Sequence, residues 1–189
     1  LFRSNTENIE ETWEMPWGEQ RMVQNNYSEL KVELIETAAP MRKVNIYFRA
    51  YDDGVAFKYE FPQQEGLSEL RIAEENTEFK LTADHTSWWI PGDWDIYEHP
   101  YNTSSFTTID AIAKRDHPNL AATYIPYNAV NTPFTMRSES GLHLSFHEAN
   151  LTDYAGMTLG INADDLSMNS ILVGSKNTEH KVQRELPFK

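Results

Sequence analysis

The chain of 189 residues has no cysteine. That excludes a disulfide framework, a thiolate metal site and a catalytic thiol, though it does not fix the compartment. No apolar run approaches the roughly 20 residues of a membrane-spanning helix, and no signal peptide is visible. Basic residues are scarce: 16 Lys and Arg stand against 29 Asp and Glu, a net charge of −13. Nucleic acids and anionic membrane surfaces are bound through Lys and Arg, so neither fits as a partner. Equally absent are a Gly-rich phosphate loop, a G-x-S-x-G elbow and an H-E-x-x-H motif. The chain opens at Leu1 rather than Met, with a polar stretch through Glu11. It therefore reads as a processed or excised piece of something longer.

Aromatic residues make up 12% of the chain, and period-two alternation dominates it. Leu30, Val32 and Leu34 alternate with Lys31 and Glu33. Val44, Ile46 and Phe48 alternate with Asn45, Tyr47 and Arg49. Val55, Phe57, Tyr59 and Phe61 alternate with Ala56, Lys58 and Glu60. Each run predicts a half-buried strand, and Asp52-Asp53-Gly54 between the last two predicts a hairpin. Shorter strands are expected at 70–72, 78–81, 142–146, 157–161 and 170–173, with a turn at Ser138–Gly141. No window of twelve residues has helical periodicity; the best candidate, 108–115, is short. Residues 84–130 are rich in Pro, Trp, Tyr, Asn and Thr and read as long ordered loops, where function tends to sit. The expectation is one all-β domain over 1–189, an antiparallel β-sandwich.

Glu148 is the most informative residue. In the segment Leu142–Glu148, Leu142, Leu144 and Phe146 share one face, and a continued strand puts Glu148 on that face as well. A carboxylate in line with a core-facing row needs a cation, a donor or an escape to solvent. A strand ending at Phe146 would let it turn into water, and both readings stay open on the residues alone. His143 and His147 share the opposite parity, but no third metal ligand lies nearby, so a solvated strand face accounts for them best. Trp88, Trp89 and Trp94, with Tyr97 and Tyr101, form an aromatic cluster that serves either as a sugar platform or as a plug for the open end of a sandwich. Asp93, Asp95 and Glu98 offer oxygen ligands for Ca²⁺, without the spacing of an EF-hand loop.

Several segments together resemble the N-terminal domain of glycoside hydrolase family 97: Trp13–Glu19 (WEMPWGE), Tyr27–Leu30 (YSEL), Phe48–Pro62 (FRAYDDGVAFKYEFP), Asp84–Pro91 (DHTSWWIP) and His147–Met157 (HEANLTDYAGM). The resemblance implies a large galactose-mutarotase-like β-sandwich, here incomplete. It also implies a parent enzyme that is bacterial, periplasmic or exported, and engaged in polysaccharide utilisation. That parent would be an α-glucosidase or α-galactosidase acting on α-linked oligosaccharides, with its catalytic carboxylates on a (β/α)8 barrel. Such a barrel needs about 250 residues, and this chain holds none. One functional residue carries over: Glu148, the glutamate of the His-Glu-Ala motif, implied to be a calcium ligand in the intact enzyme. Glu148 is then expected to be exposed here, with Asp153 and Tyr154 in the following loop. The alternatives are a free-standing carbohydrate-binding module using Trp88, Trp89 and Trp94, and a purely structural sandwich.

The strand pattern predicts a far-UV circular dichroism spectrum with helix well below the globular average of about a third. A helical content above about a quarter would contradict the all-β reading.

Overall fold

The computed structural model describes residues 2–115, 123–174 and 181–188. Among these are fourteen strands and no α-helix, and the sheets are antiparallel throughout their paired registers. Where 108–115 offered the best helix, only two 3-10 turns form, Phe106–Thr108 and Ile112–Lys114. The chain divides into two compact units, one of Leu1–Leu70 with Arg184–Lys189, the other of Arg71–Gln183.

The first unit holds a four-stranded sheet in the order β1-β2-β3-β4, with β1 at Phe2–Glu14, β2 at Met22–Ile35, β3 at Lys43–Ala50 and β4 at Val55–Glu60. The Asp-Asp-Gly hairpin forms as expected: Ala50 pairs with Val55, and the Tyr51 amide donates to the Gly54 carbonyl at 2.8 Å. Register aligns the alternating rows, so that Leu30, Phe48 and Phe57 lie side by side, as do Val32, Ile46 and Tyr59. The long β1 was hidden by its polarity; only its pairing with β2 reveals it. The opposite face carries a polar network. Arg49 donates to Glu29 at 2.7 Å and covers the Tyr27 ring at 4.2 Å, while Lys31 and Lys58 lie over Tyr47. Glu29 is thereby buried, whereas Phe48 and Phe57 on the apolar face remain 38% exposed. Two further strands, β5 (Glu69–Ile72) and β14 (Val182–Glu185), pair with each other.

The second unit is a sandwich of two four-stranded sheets. One has the order β11-β10-β7-β8, and the other β6-β13-β12-β9. In chain order these are β6 (Glu78–Lys80), β7 (Thr86–Trp89), β8 (Asn102–Ser105), β9 (Ala129–Asn131), β10 (Phe134–Arg137), β11 (His143–Phe146), β12 (Gly156–Asn162) and β13 (Ser167–Val173). Trp89, Phe134 and Met136 of the first sheet share one buried cluster with Val130, Leu159 and Met168 of the second. Phe79 and Phe146 meet edge to face across it at 5.1 Å. Successive strand residues point to opposite faces, and this sets which side chains are interior. Trp89 is buried in the cluster. Its neighbour Trp88 takes the outer face and stacks on His143, ring centroids 6.1 Å apart and planes 17° apart.

Phe134 has no exposed surface, so Phe134→Ala should cost about 3–5 kcal/mol of unfolding free energy. Phe57→Ala, on the open face of the first unit, should cost markedly less. Urea denaturation of both variants checks the contrast.

Candidate functional site around Glu148

Strand β11 ends at Phe146, whose ring is fixed by the core, and the chain then leaves the sheet. Glu148 does not turn out into water. It is half-buried, because its carboxylate meets two donors. Oε2 accepts a hydrogen bond from the Thr132 hydroxyl at 2.7 Å, and Oε1 accepts one from the Met157 amide. Thr132 occupies the short connection between β9 and β10, and Met157 lies at the start of β12. Three separate segments therefore converge on one carboxylate. The Thr132 hydroxyl also lies 3.1 Å from the Met157 carbonyl. A hydroxyl has a single proton, so the shorter, charge-assisted bond to Glu148 is favoured.

Tyr97 borders the same group. Burial pushes its phenol up from the ordinary value, the Glu148 charge adds to that, and the Thr132 hydroxyl acts in the opposite direction. Neither Thr132 nor the Met157 amide was singled out from sequence. Nothing in the residue pattern announces a donor supplied by a connecting segment or by backbone, and only the tertiary register brings them to Glu148.

Asp93 lies in the loop that carries Tyr97, and it is fully engaged. Its oxygens accept from the amides of Asp95 (2.9 Å), Ile96 (3.2 Å) and Thr123 (3.0 Å) and from the Thr123 hydroxyl (3.0 Å), and Oδ2 lies 3.1 Å from His99 Nε2. Burial alone would raise its pKa, but these partners outweigh it and hold the carboxyl below its ordinary value. With its acceptor sites taken, Asp93 is a loop-holding residue, and Asp93, Asp95 and Glu98 do not gather as calcium ligands. Among the described residues, no group of three or more His, Asp or Glu assembles that could hold a metal.

The three tryptophans have different surroundings. Trp89 is only 2% exposed and its indole N–H donates to the Ser104 hydroxyl at 3.0 Å, so it is core. Trp88 stacks on His143 on the outer face. Trp94 lies under the Lys181 ammonium, 5.5 Å from the ring centroid.

The match to known proteins extends through both units. The family model described as Glycosyl-hydrolase 97 N-terminal matches residues 1–188. This chain belongs to that family. It is 30% identical to a solved glycoside hydrolase family 97 enzyme in complex with acarbose, from Pseudoalteromonas sp. strain K8, over 97% of its own length, with a TM-score of 0.78. A variant family 97 enzyme from the same strain, in complex with panose, gives 29% identity and a TM-score of 0.80 over the same share. A β-arabinopyranosidase at 17% identity and TM-score 0.72 shares the fold alone. The chain spans about a quarter of the solved Pseudoalteromonas enzymes, 25% and 26% of their chains.

The engagement of Asp93 has a pH consequence. A carboxyl depressed in the folded state contributes stability above its unfolded value, near 3.9. That contribution is lost as pH falls from there through the lower folded value. Asp93→Asn, which puts an NH2 among donors, should lose roughly 2–3 kcal/mol at neutral pH, and the gap to the parent should narrow below about pH 4. Thermal unfolding across pH checks both.

Proposed function

We propose that this domain is the non-catalytic N-terminal part of a calcium-dependent α-glycoside hydrolase, and that it contributes Glu148 as one metal ligand to an active site completed by a barrel domain. The observation that carries the reading is the seat of Glu148. Its carboxylate is fixed by two donors at the end of a core strand, yet a carboxylate has about four lone-pair sites, so two remain for a cation.

The donor chemistry fits calcium, a hard ion that prefers oxygen ligands and takes about six to eight of them. Glu148 supplies at most two of these, and the rest would come from beyond the described residues. When bound, such an ion supplies a fixed positive centre for substrate oxygens. This chain's own residues do narrower work. Thr132 and the Met157 amide orient Glu148, and the sandwich core behind Phe146 keeps that orientation rigid.

An α-linked oligosaccharide substrate, a barrel partner and a periplasmic or exported location of the parent are part of the same proposal, drawn from the family resemblance. Acarbose and panose, bound by the solved relatives, support the α-glucoside class. General acid–base hydrolysis needs two positioned carboxylates. Glu148, committed to Thr132 and Met157, is not placed as one of a catalytic pair. The alternative of a free-standing sugar-binding module that uses all three tryptophans is disfavoured by the burial of Trp89.

In the full-length enzyme, Glu148→Gln should lower calcium affinity and turnover together. It should leave the unfolding midpoint within a few degrees of the parent, since a Gln oxygen still accepts one of the two bonds. The isolated domain should bind Ca²⁺ weakly or not at all and release no p-nitrophenol from α-glycosides. Micromolar calcium binding by the isolated domain in titration calorimetry, or an unaffected full-length variant, would show that Glu148 has another role.

A further inference from the structure

We infer, on the reading of Glu148 as a metal ligand, that Tyr154 is a positioning residue of that site. It ties the returning end of the Glu148 loop to Glu75 and so restrains the carboxylate before a cation arrives.

Glu148 lies past the end of β11 at Phe146, and residues 149–153 after it are all exposed. Within that run the Thr152 hydroxyl donates to Asn150 Oδ1 at 3.0 Å, and the Thr152 amide to the Asn150 carbonyl at 3.1 Å. These bonds stiffen the loop locally, but a segment that buries so little surface has little to offset its conformational entropy. Tyr154 ends the exposed run. Its hydroxyl donates to Glu75 Oε2 at 2.8 Å, and its ring packs on the cluster of Ala155, Leu172 and Val182. Glu75 is itself held. Its Oε1 accepts from the Thr77 hydroxyl at 2.7 Å, and the Thr77 carbonyl accepts from the Ser170 amide of β13 at 2.9 Å.

Both ends of the loop are therefore joined to one sheet. Glu148 reaches β12 through the Met157 amide, and Tyr154 reaches β13, the partner of β12, through Glu75 and Thr77. Asp153, just before Tyr154, has φ of 55°. That left-handed backbone is disfavoured for residues with a side chain and persists where its flanks are held. Without the phenol bond, the mobile stretch beginning at Glu148 would lengthen toward Ala155. More of the ordering would then fall on the moment of cation binding, and a ligand that is less preorganised binds less tightly. Support from outside the coordinating group is the usual way in which a metal ligand is kept in orientation.

The test uses the full-length enzyme with Tb³⁺ as a calcium probe. Affinity is read from sensitised luminescence, and the water bound to the ion from lifetimes in H2O and D2O. Tyr154→Phe keeps the ring and removes the donor. It should weaken Tb³⁺ binding roughly three- to ten-fold, part of the value of a hydrogen bond to a charged group, and should raise the ion's hydration. Tyr127→Phe, at an exposed tyrosine outside this loop, should change neither. Glu75→Ala should reproduce the fall, and Tyr154→Phe added to it should have no further effect, because the tether is already gone. Parental affinity and hydration in Tyr154→Phe overturn the inference, even with a lowered unfolding midpoint, since the bond would then stabilise the fold alone. So does additivity of Tyr154→Phe and Glu75→Ala. If Glu75→Ala does not fold, the comparison of Tyr154→Phe with Tyr127→Phe decides. Glu148→Gln separates the two levels. Unchanged Tb³⁺ affinity there removes the ligand reading itself, whereas a fall there with Tyr154→Phe unaffected removes only the role of Tyr154.

Discussion

The buried carboxylate of Asp93 is the interaction on which the irregular end of the sandwich depends. Strands β7 and β9 are short, and the segments around them are joined by isolated bridges and single backbone bonds, such as Gly92 to Ala129 and Trp94 to Thr123. One anion with five partners reinforces those bonds. It draws together amides from Asp95, Ile96 and Thr123, the Thr123 hydroxyl and the His99 ring. Backbone donors in irregular segments are costly to bury without acceptors, and a charged acceptor is the strongest available. The aromatic residues of this region therefore have a defined placement even though their strands are short.

Glu148 illustrates the same physics with the opposite outcome. Asp93 has its acceptor sites taken and is closed to any ligand. Glu148 receives a donor on each oxygen and keeps capacity for more. Two acidic side chains of the same unit thus divide into one that builds and one that offers. The distinction lies in the count of donors around each, which no inspection of residue type reveals.

Legibility from sequence followed the same division. Strands with alternating rows, such as Val44–Phe48 and Val55–Tyr59, were readable because their period is a local property, and so was the Asp52–Gly54 hairpin. Glu148 was flagged because its parity conflicted with its charge. β1 escaped because it is polar along nearly its whole length, and β7 to β10 escaped because each is three or four residues long and set in or beside the aperiodic Trp-, Asn- and Thr-rich stretch 84–130. The candidate calcium ligands Asp93, Asp95 and Glu98 looked plausible as neighbours in sequence, but once the turn closes Asp93 is taken up by loop donors and shares the Thr123 hydroxyl with Asp95. Thr132 and Met157 reach Glu148 only through contacts between segments distant in the chain. His143 was read as a solvated strand residue, and its exposed position fits that, with the added stack on Trp88.

The polar sequence of β1 has a consequence of its own. It is a strand of thirteen residues at the edge of its sheet, and such an edge is a template on which another chain can add a strand. Glu7, Glu10, Glu11 and Glu14 lie along it, all exposed. A second copy laid against this edge would bring rows of carboxylates into proximity, and like charges on neighbouring strands repel. Among the described residues, the acidity of β1 thus opposes the pairing of a second copy along this edge.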